Sequence, residues 1–372
     1  MRSADPLGVA FDATPLLGDR TGVGAFCDGA LSALACRDDV NMAAFAVSWR
    51  RRHMIRPLLP AGVRAIDRPL PARPVHMLWR HSNMPPIEWV AGRVDVVHGS
   101  NFIVPPARRA SRVVTVHDLT TVRFPELCDG PTLGFPAAVR RALREGAFVH
   151  TPSQFVADEV ISEFRAPPDR VVAVHHGAPA PVLATPGSPV PKPYLFAIGT
   201  IEPRKDFPTL AAAFGALAAR HPDLRLVVAG KPGWGGAAFD QAVEQCGASE
   251  RVVRLGYVDD GERASLLANA EVFCYPSIYE GFGLPPLEAM TAGVPVVTTT
   301  AGAIPEVVGD AALLVPPGDT DALAGAIEQA LVDSAVRRRL IEAGTARAAR
   351  YTWDGCAAGL ADLYSLAAAM SR

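Results

Sequence analysis

Short, continuously apolar runs rich in β-branched residues recur along the chain, each followed by a helix-length amphipathic stretch. In the first half they fall at 7–11, 43–47, 94–98, 113–117, 148–151 and 171–174. In the second half they fall at 194–198, 224–229, 252–255, 272–275, 294–298 and 312–315. Strands without polar alternation are buried on both faces, as in a parallel sheet covered by helices. Two such series predict an α/β protein of two Rossmann-like, doubly wound domains. Between them, residues 178–193 hold six prolines and read as a linker. The expected domains are 1–185 and 186–350, followed by a last segment, 351–372. Helices are predicted over 319–331, 335–348 and 353–370, the last opening after a break at Arg350-Tyr351-Thr352 with Thr352 as its cap. Ligands of such sheets bind beyond the carboxyl ends of the strands, which predicts a site in a central cleft between the domains.

Composition narrows this picture. At 372 residues the chain has room for two cores. Apolar residues make up 49% and charged residues 20%, the balance of a soluble globular protein. Residues 1–11 lack the apolar segment of a signal peptide, and no apolar run reaches bilayer-spanning length. The expected location is the cytoplasm, free or on the inner face of a membrane. The six cysteines form no CxxC pair and approach no histidine cluster at metal-ligand spacing, so they read as reduced, buried thiols.

The net charge of −2 hides an asymmetry. Up to residue 185 there are 21 arginines, no lysine and 17 acids; the remainder carries 15 basic and 21 acidic residues. Between Trp49 and Arg80, eight arginines face a single acid, Asp67. The aromatic or helical organisation of a nucleic-acid site is missing there. The Arg50–Arg80 region suits an anionic membrane or an anionic acceptor, or is a solvated surface.

The richest chemistry lies at 275–290. A strand ends near Pro276, the loop carries Ser277, Glu280, Gly281, Phe282 and Gly283, and a helix is expected to open after Leu284 at Pro285 or Pro286. Glycines let a ligand reach the backbone, and a helix start favours an anion such as phosphate. A carboxylate accepts two hydroxyl hydrogen bonds at once, so Glu280 and Glu288 suit a sugar ring or a ribose diol. Glu288, placed in the first helical turn, also has a plain electrostatic reason to be there. A second segment ends a buried strand in Gly199-Thr200 and delivers Arg204 and Lys205 just before a helix over 207–220. Two cations there grip a diphosphate, the arginine bidentately and the lysine as a point charge, with no metal required. In the first half, Asp12 ends a strand and a loop through Asp19, Arg20, Gly22 and Gly24 leads into a helix from Ala25. Those two glycines admit a phosphate or sugar but fall short of a GxGxxG fingerprint. His117 and Asp118 end another strand, where the histidine either meets a sugar hydroxyl or packs against a structural partner. His98 has a similar placement and the same two readings; His175 and His176 precede Gly177 at another strand end and either contact a bound donor or cap the linker.

Taken together, these residues resemble the retaining glycosyltransferases of family 4, the mannosyltransferase-like group 1 glycosyltransferases. The resemblance spans essentially the whole chain. It rests on Glu280 and Glu288 around Gly281-Phe282-Gly283-Leu284-Pro285, and on Gly199-Thr200-Ile201-Glu202-Pro203-Arg204-Lys205. It rests also on Thr115-Val116-His117-Asp118, Thr151-Pro152-Ser153, and Thr298 with Ala301-Gly302-Ala303-Ile304-Pro305-Glu306. It implies a GT-B fold of two facing Rossmann-like domains, with the last helix crossing back to the first. The implied activity moves a hexose from a nucleotide-diphosphate sugar to a lipid-linked or polysaccharide acceptor of the cell envelope. The implied catalytic set is His117, Asp118, Glu280, Arg204 and Lys205. The implied donor set adds Gly22, Gly24, Gly199, Thr200, Ser277, Gly281, Phe282, Gly283, Leu284 and Glu288. No metal and no cofactor beyond the nucleotide sugar is implied. The Glu-Pro-Arg-Lys wording is most similar to members using GDP-mannose. Asp206 departs from the asparagine frequent in relatives and suits a helix cap. A sugar-nucleotide epimerase or a non-catalytic nucleotide-sugar-binding subunit would share the architecture, whereas a dehydrogenase would need the missing fingerprint.

Overall fold

The computed structural model describes residues 5–18, 21–128, 130, 132–178 and 190–370. Asp19, Arg20 and most of the expected linker, 179–189, lie outside the described residues. The chain divides into two compact units, Met1–Gly177 with Tyr351–Arg372, and Ala178–Arg350.

The first unit holds strands β1 (Leu7–Asp12), β2 (Val40–Phe45), β3 (Arg64–Ile66), β4 (Val96–Gly99), β5 (Ser111–Thr115), β6 (Phe148–Thr151) and β7 (Val171–Ala173). They pair in the order β3-β2-β1-β4-β5-β6-β7, and every pairing is parallel. The second unit holds β8 (Tyr194–Ile198), β9 (Arg225–Ala229), β10 (Val252–Gly256), β11 (Val272–Tyr275), β12 (Val296–Thr299) and β13 (Leu313–Val315). Their order is β10-β9-β8-β11-β12-β13, again all parallel. In each sheet the winding reverses once, at β1/β4 and at β8/β11. The strands on either side of such a reversal send their following loops apart, and the gap left between them is where ligands bind in this architecture.

The hydrophobic runs became the strands because both faces are covered. On one face of the first sheet, Val9, Phe11, Val96 and Val113 pack with Phe26, Leu31, Leu360 and Tyr364. On the other, Val97, Val114 and Val149 pack with Val156 and Val160. In the second unit, Leu195, Leu226 and Val297 meet Phe207, Phe214, Leu323 and Ile327. One strand escaped the sequence pattern. β3 is an edge strand of three residues with Arg64 exposed, too short and too polar to leave an apolar run. β2 begins at Val40 rather than 43, because Asn41 points outward and interrupts the run.

The last helix, Trp353–Met370, belongs to the first unit, and Gly355 donates its N–H to Thr352 Oγ1 at 3.0 Å. Its buried residues Cys356, Ala357, Leu360, Ala361, Tyr364 and Ala367 follow a helical period, and the stripe lies against the helix Gly22–Leu34 and strands β4 and β5.

Candidate functional site

The β8/β11 reversal brings together side chains that lie far apart in sequence. After β8, a turn of 3-10 helix, Pro203–Lys205, carries Arg204 and Lys205. After β11, the loop carries Glu280. Lys205 Nζ lies 2.6 Å from Glu280 Oε1, and Arg204 Nη1 lies 2.8 Å from Glu280 Oε2. The Tyr275 hydroxyl, at the end of β11, donates to Glu280 Oε1 at 2.8 Å and accepts from Lys205 Nζ at 2.6 Å. Arg204 also donates to Glu202 Oε1 at 2.7 Å and to the Tyr279 carbonyl at 2.9 Å. Lys205 and Glu280 are both buried. Burial by itself would raise the Glu280 carboxyl, but Arg204 and Lys205 outweigh it and hold the group at about 2. Burial draws the Lys205 ammonium down, against the upward pull of Glu280.

The surrounding backbone fixes this carboxylate. The Glu280 carbonyl accepts from Ala303 N at 2.8 Å, and Gly302 beside it sits at φ +57°. A β-carbon on Gly302 would fall 2.2 Å from that carbonyl oxygen, so only glycine fits. Ser277 is buried, and its carbonyl accepts from Thr299 Oγ1 at 2.5 Å. Gly199 directly follows β8 and donates its N–H to the Ala229 carbonyl at 3.0 Å, with the alkyl stem of Lys205 beside it. Thr200 follows, half-buried, its carbonyl accepting from Glu202 N at 2.7 Å. Asp206 takes a left-handed conformation and caps the helix Phe207–Ala218 through Thr209 N at 3.4 Å.

Several sequence expectations shift here. The helix after the loop is Leu284–Thr291 and begins one residue before Pro285. Prolines at two of its first three positions lack an N–H, so it offers fewer free donors than an ordinary helix start. Glu288 falls in the second turn, not the first, and its Oε2 lies 3.4 Å from Arg263 Nε. Gly281, Phe282, Gly283 and Leu284 are all buried. Gly283 is required by φ +110° and by the Ile304 side chain, which fills the space a β-carbon would take. Tyr275 and Glu202 went unnoticed as site residues. Their only signal was position, at the strand end and beside the cations.

In the first unit, the helix Gly22–Leu34 begins at Gly22, three residues earlier than expected, so Gly22 and Gly24 lie inside its first turn. A β-carbon on Gly22 would meet nothing within 4 Å, and Gly24 is buried. His117 Nε2 donates to the Ser100 carbonyl at 2.8 Å, leaving Nδ1 as the acceptor, and burial keeps the ring's pKa low. Asp118 Oδ1 accepts from Thr120 N at 2.9 Å and starts the short helix Thr120–Arg123. Of the other candidate histidines, His98 and His176 are buried and His175 is exposed. His176 stacks on Phe26 with ring centroids 4.5 Å apart, and His175 meets Tyr351 edge-on. His98 is wholly buried between Tyr364 and Thr115. Among the described residues, no group of three or more His, Cys, Asp or Glu side chains is placed to hold a metal ion.

Residues 184–347 match the family described as glycosyl transferases group 1, and residues 22–180 match glycosyltransferase family 4. The O-antigen chain mannosyltransferase B of Escherichia coli is 35% identical, over 73% of this chain and 74% of its own length. The chain belongs to the family 4-like group 1 glycosyltransferases. A further relative of this glycosyltransferase is the MMP alpha-(1->4)-mannosyltransferase of Mycolicibacterium hassiacum, 33% identical over 63% of this chain and 58% of its own. Among solved structures, sucrose-phosphate synthase from Thermosynechococcus elongatus matches with a TM-score of 0.73 at 19% identity, covering 97% of this chain and 98% of its own. Anabaena HepE in complex with UDP-glucose matches with a TM-score of 0.70 at 20% identity, covering 96% and 99%. The enzyme therefore has the GT-B fold of two Rossmann-like domains. No helix among its described residues is long and apolar enough to cross a membrane.

Proposed function

We propose that this glycosyltransferase moves mannose from GDP-mannose, with retention at the anomeric carbon, to a lipid-linked or polysaccharide acceptor. The observation carrying the reading is the buried Arg204–Lys205–Glu280–Tyr275 cluster at the β8/β11 reversal. The mannosyltransferase relatives support the choice of sugar. Anabaena HepE bound to UDP-glucose supports a nucleotide sugar as donor.

In this reading Arg204 and Lys205 bind the donor diphosphate. Two adjacent cations, Lys205 buried and Arg204 half-buried, are costly to hold alone, and Glu280 serves as their counter-ion before the donor arrives. As the glycosidic C–O bond breaks, negative charge grows on the departing diphosphate and positive charge on the anomeric carbon. The cations stabilise the first, and the ionised Glu280 carboxylate favours the second. Because the cluster is interlinked by hydrogen bonds, its dipoles are set before the reaction and need little reorganisation. Glu288 holds the ribose hydroxyls, and Gly199, Thr200, Ser277 and the 281–284 backbone border the donor. His117, neutral, offers Nδ1 to a sugar hydroxyl, and Asp118 orients its loop. The donor needs no metal, since its two phosphates meet two cations.

Calorimetric titration with GDP, UDP and ADP and their sugar conjugates tests the donor. Preference for GDP and GDP-mannose is expected, and preference for another nucleotide overturns mannose. Lys205→Ala and Glu288→Ala should each weaken donor binding by about 1–3 kcal/mol, the loss of a charge-assisted hydrogen bond. Unchanged affinity in both variants would sink the site. Nuclear magnetic resonance of the product reports the anomeric configuration, and inversion would overturn retention.

A further inference from the structure

The first unit carries a corner where charge and exposed apolar surface coincide. Seven of the thirteen large apolar side chains exposed among the described residues fall between Trp49 and Trp89. Trp49, Met54, Leu58, Met77 and Leu78 are each 44–60% exposed. They come from two segments that leave the carboxyl ends of neighbouring parallel strands, β2 and β3. Contacts tie the segments together. Leu70 N donates to the Ser48 carbonyl at 3.5 Å, and His53 Nδ1 lies 3.1 Å from the Asp67 carboxylate. Along the helix Ala72–His81, Val75 and Trp79 are buried while Met77 and Leu78 face out.

Charge on the same corner has one sign. Asp67, the single acid from Trp49 to Arg80, is already met by Arg52 and His53. Arg50, Arg51, Arg56 and Arg68 are exposed and make no ion pair among the described residues. A soluble polyanion would use these arginines and leave the apolar side chains facing water. An anionic bilayer uses both: its headgroups attract the cations, and the boundary below them accepts tryptophan, methionine and leucine.

We propose that this corner docks the enzyme on a bilayer containing anionic phospholipid, with Trp49, Met77 and Leu78 entering the headgroup boundary and Arg50, Arg51 and Arg56 on the phosphates. Its basis is separate from the donor site in the second unit.

The test is co-sedimentation of the full chain with vesicles of phosphatidylcholine alone or mixed with phosphatidylglycerol. The chain should sediment with the mixed vesicles and release at high salt. The mixed vesicles should also shift its tryptophan emission to the blue, a shift that Trp49→Phe reduces. Each of Arg50→Glu and Arg51→Glu should lower partitioning at least about fivefold, the value of one cation near such a surface. Met77→Ser with Leu78→Ser should lower it about tenfold while nucleotide affinity stays unchanged, since both side chains already face solvent. Failure to sediment with the mixed vesicles would overturn the proposal. So would normal vesicle binding by the serine double variant, which would mean that the arginines act alone and the apolar side chains do not enter the headgroup boundary. Loss of nucleotide selectivity alone would count against the donor reading and leave this one standing.

Discussion

At the scale of single residues, Glu280 is the hinge of the cluster that joins Arg204, Lys205 and Tyr275. Its carboxylate lies within 3 Å of both cations, and its charge offsets theirs where Lys205 is buried and Arg204 half-buried beside it. Glu280→Gln keeps the shape and removes that charge, leaving Arg204 and Lys205 facing an uncharged amide. Breaking a buried pair in this way should destabilise the second unit by about 3–5 kcal/mol. Urea denaturation followed by circular dichroism measures it, and a loss below about 1 kcal/mol would mean that solvent reaches the cluster. Both partners were legible in the sequence as strand-end charges, but their mutual contact was not. It depends on β8 and β11 being neighbours, which strings of residues do not state. Tyr275 illustrates the same gap, because its hydroxyl looks like any tyrosine at the end of an apolar strand until Lys205 and Glu280 meet it.

At the scale of elements, the last helix is fastened by a directional chain of buried hydrogen bonds. His150 Nε2 lies 3.1 Å from the Val174 carbonyl, which only a donor can approach, so Nε2 carries the proton. His150 Nδ1 then accepts from Thr115 Oγ1 at 2.9 Å. Thr115 Oγ1 in turn accepts from His98 Nε2 at 2.7 Å, and His98 Nδ1 accepts from Tyr364 at 2.7 Å. Tyr364→Phe removes the last donor, and the stranded His98 acceptor should cost about 1–3 kcal/mol, read as a lower urea midpoint for the first unit. The chain is also a pH dependence. Burial lowers the pKa of His98 and His176, and that of His150 to about 3, from an ordinary 6.5. Between those values the unfolded chain binds protons that the folded one refuses. The stabilisation is therefore complete above pH 6.5 and is lost as pH falls below it, by up to about 1.4 kcal/mol per pH unit for each histidine. Thermal melts between about pH 5 and 8 should show the first unit weakening on the acid side; a flat profile would contradict the neutral, buried assignment.

At the scale of the whole molecule, the chain visits its units in the order first, second, first. The last helix supplies Leu360, Leu363 and Tyr364 to the first core although some 170 residues of the second unit precede it. Removing residues 351–372 should withdraw about 1.5–3 kcal/mol for each large buried side chain, a sum comparable with the stability of a domain. Scanning calorimetry should then show the first unit's transition lost or greatly lowered, with that of the second little changed. Equal loss in both would mean that the units unfold as one.

Much of the fold was written in local pattern. Apolar runs and the helices between them follow from burial on both faces of a parallel sheet, and that requirement acts on each strand separately. Thr352 as a cap, Asp206 as a cap and the glycines around the loops follow from backbone geometry over a few residues. Strand-end position likewise singled out Arg204, Lys205, Glu280 and His117 before any contact was known. Tertiary structure decided what depends on distant pairing. It chose the strand order that joins Lys205 to Glu280, turned His98 from a candidate ligand into a link to Tyr364, and gave Glu288 an arginine partner in Arg263. It also gathered the arginines and exposed apolar side chains of 49–78 onto one corner, because β2 and β3 are neighbours. Local sequence sets which conformations are open to a segment; which segments meet is set by the packing of the whole core.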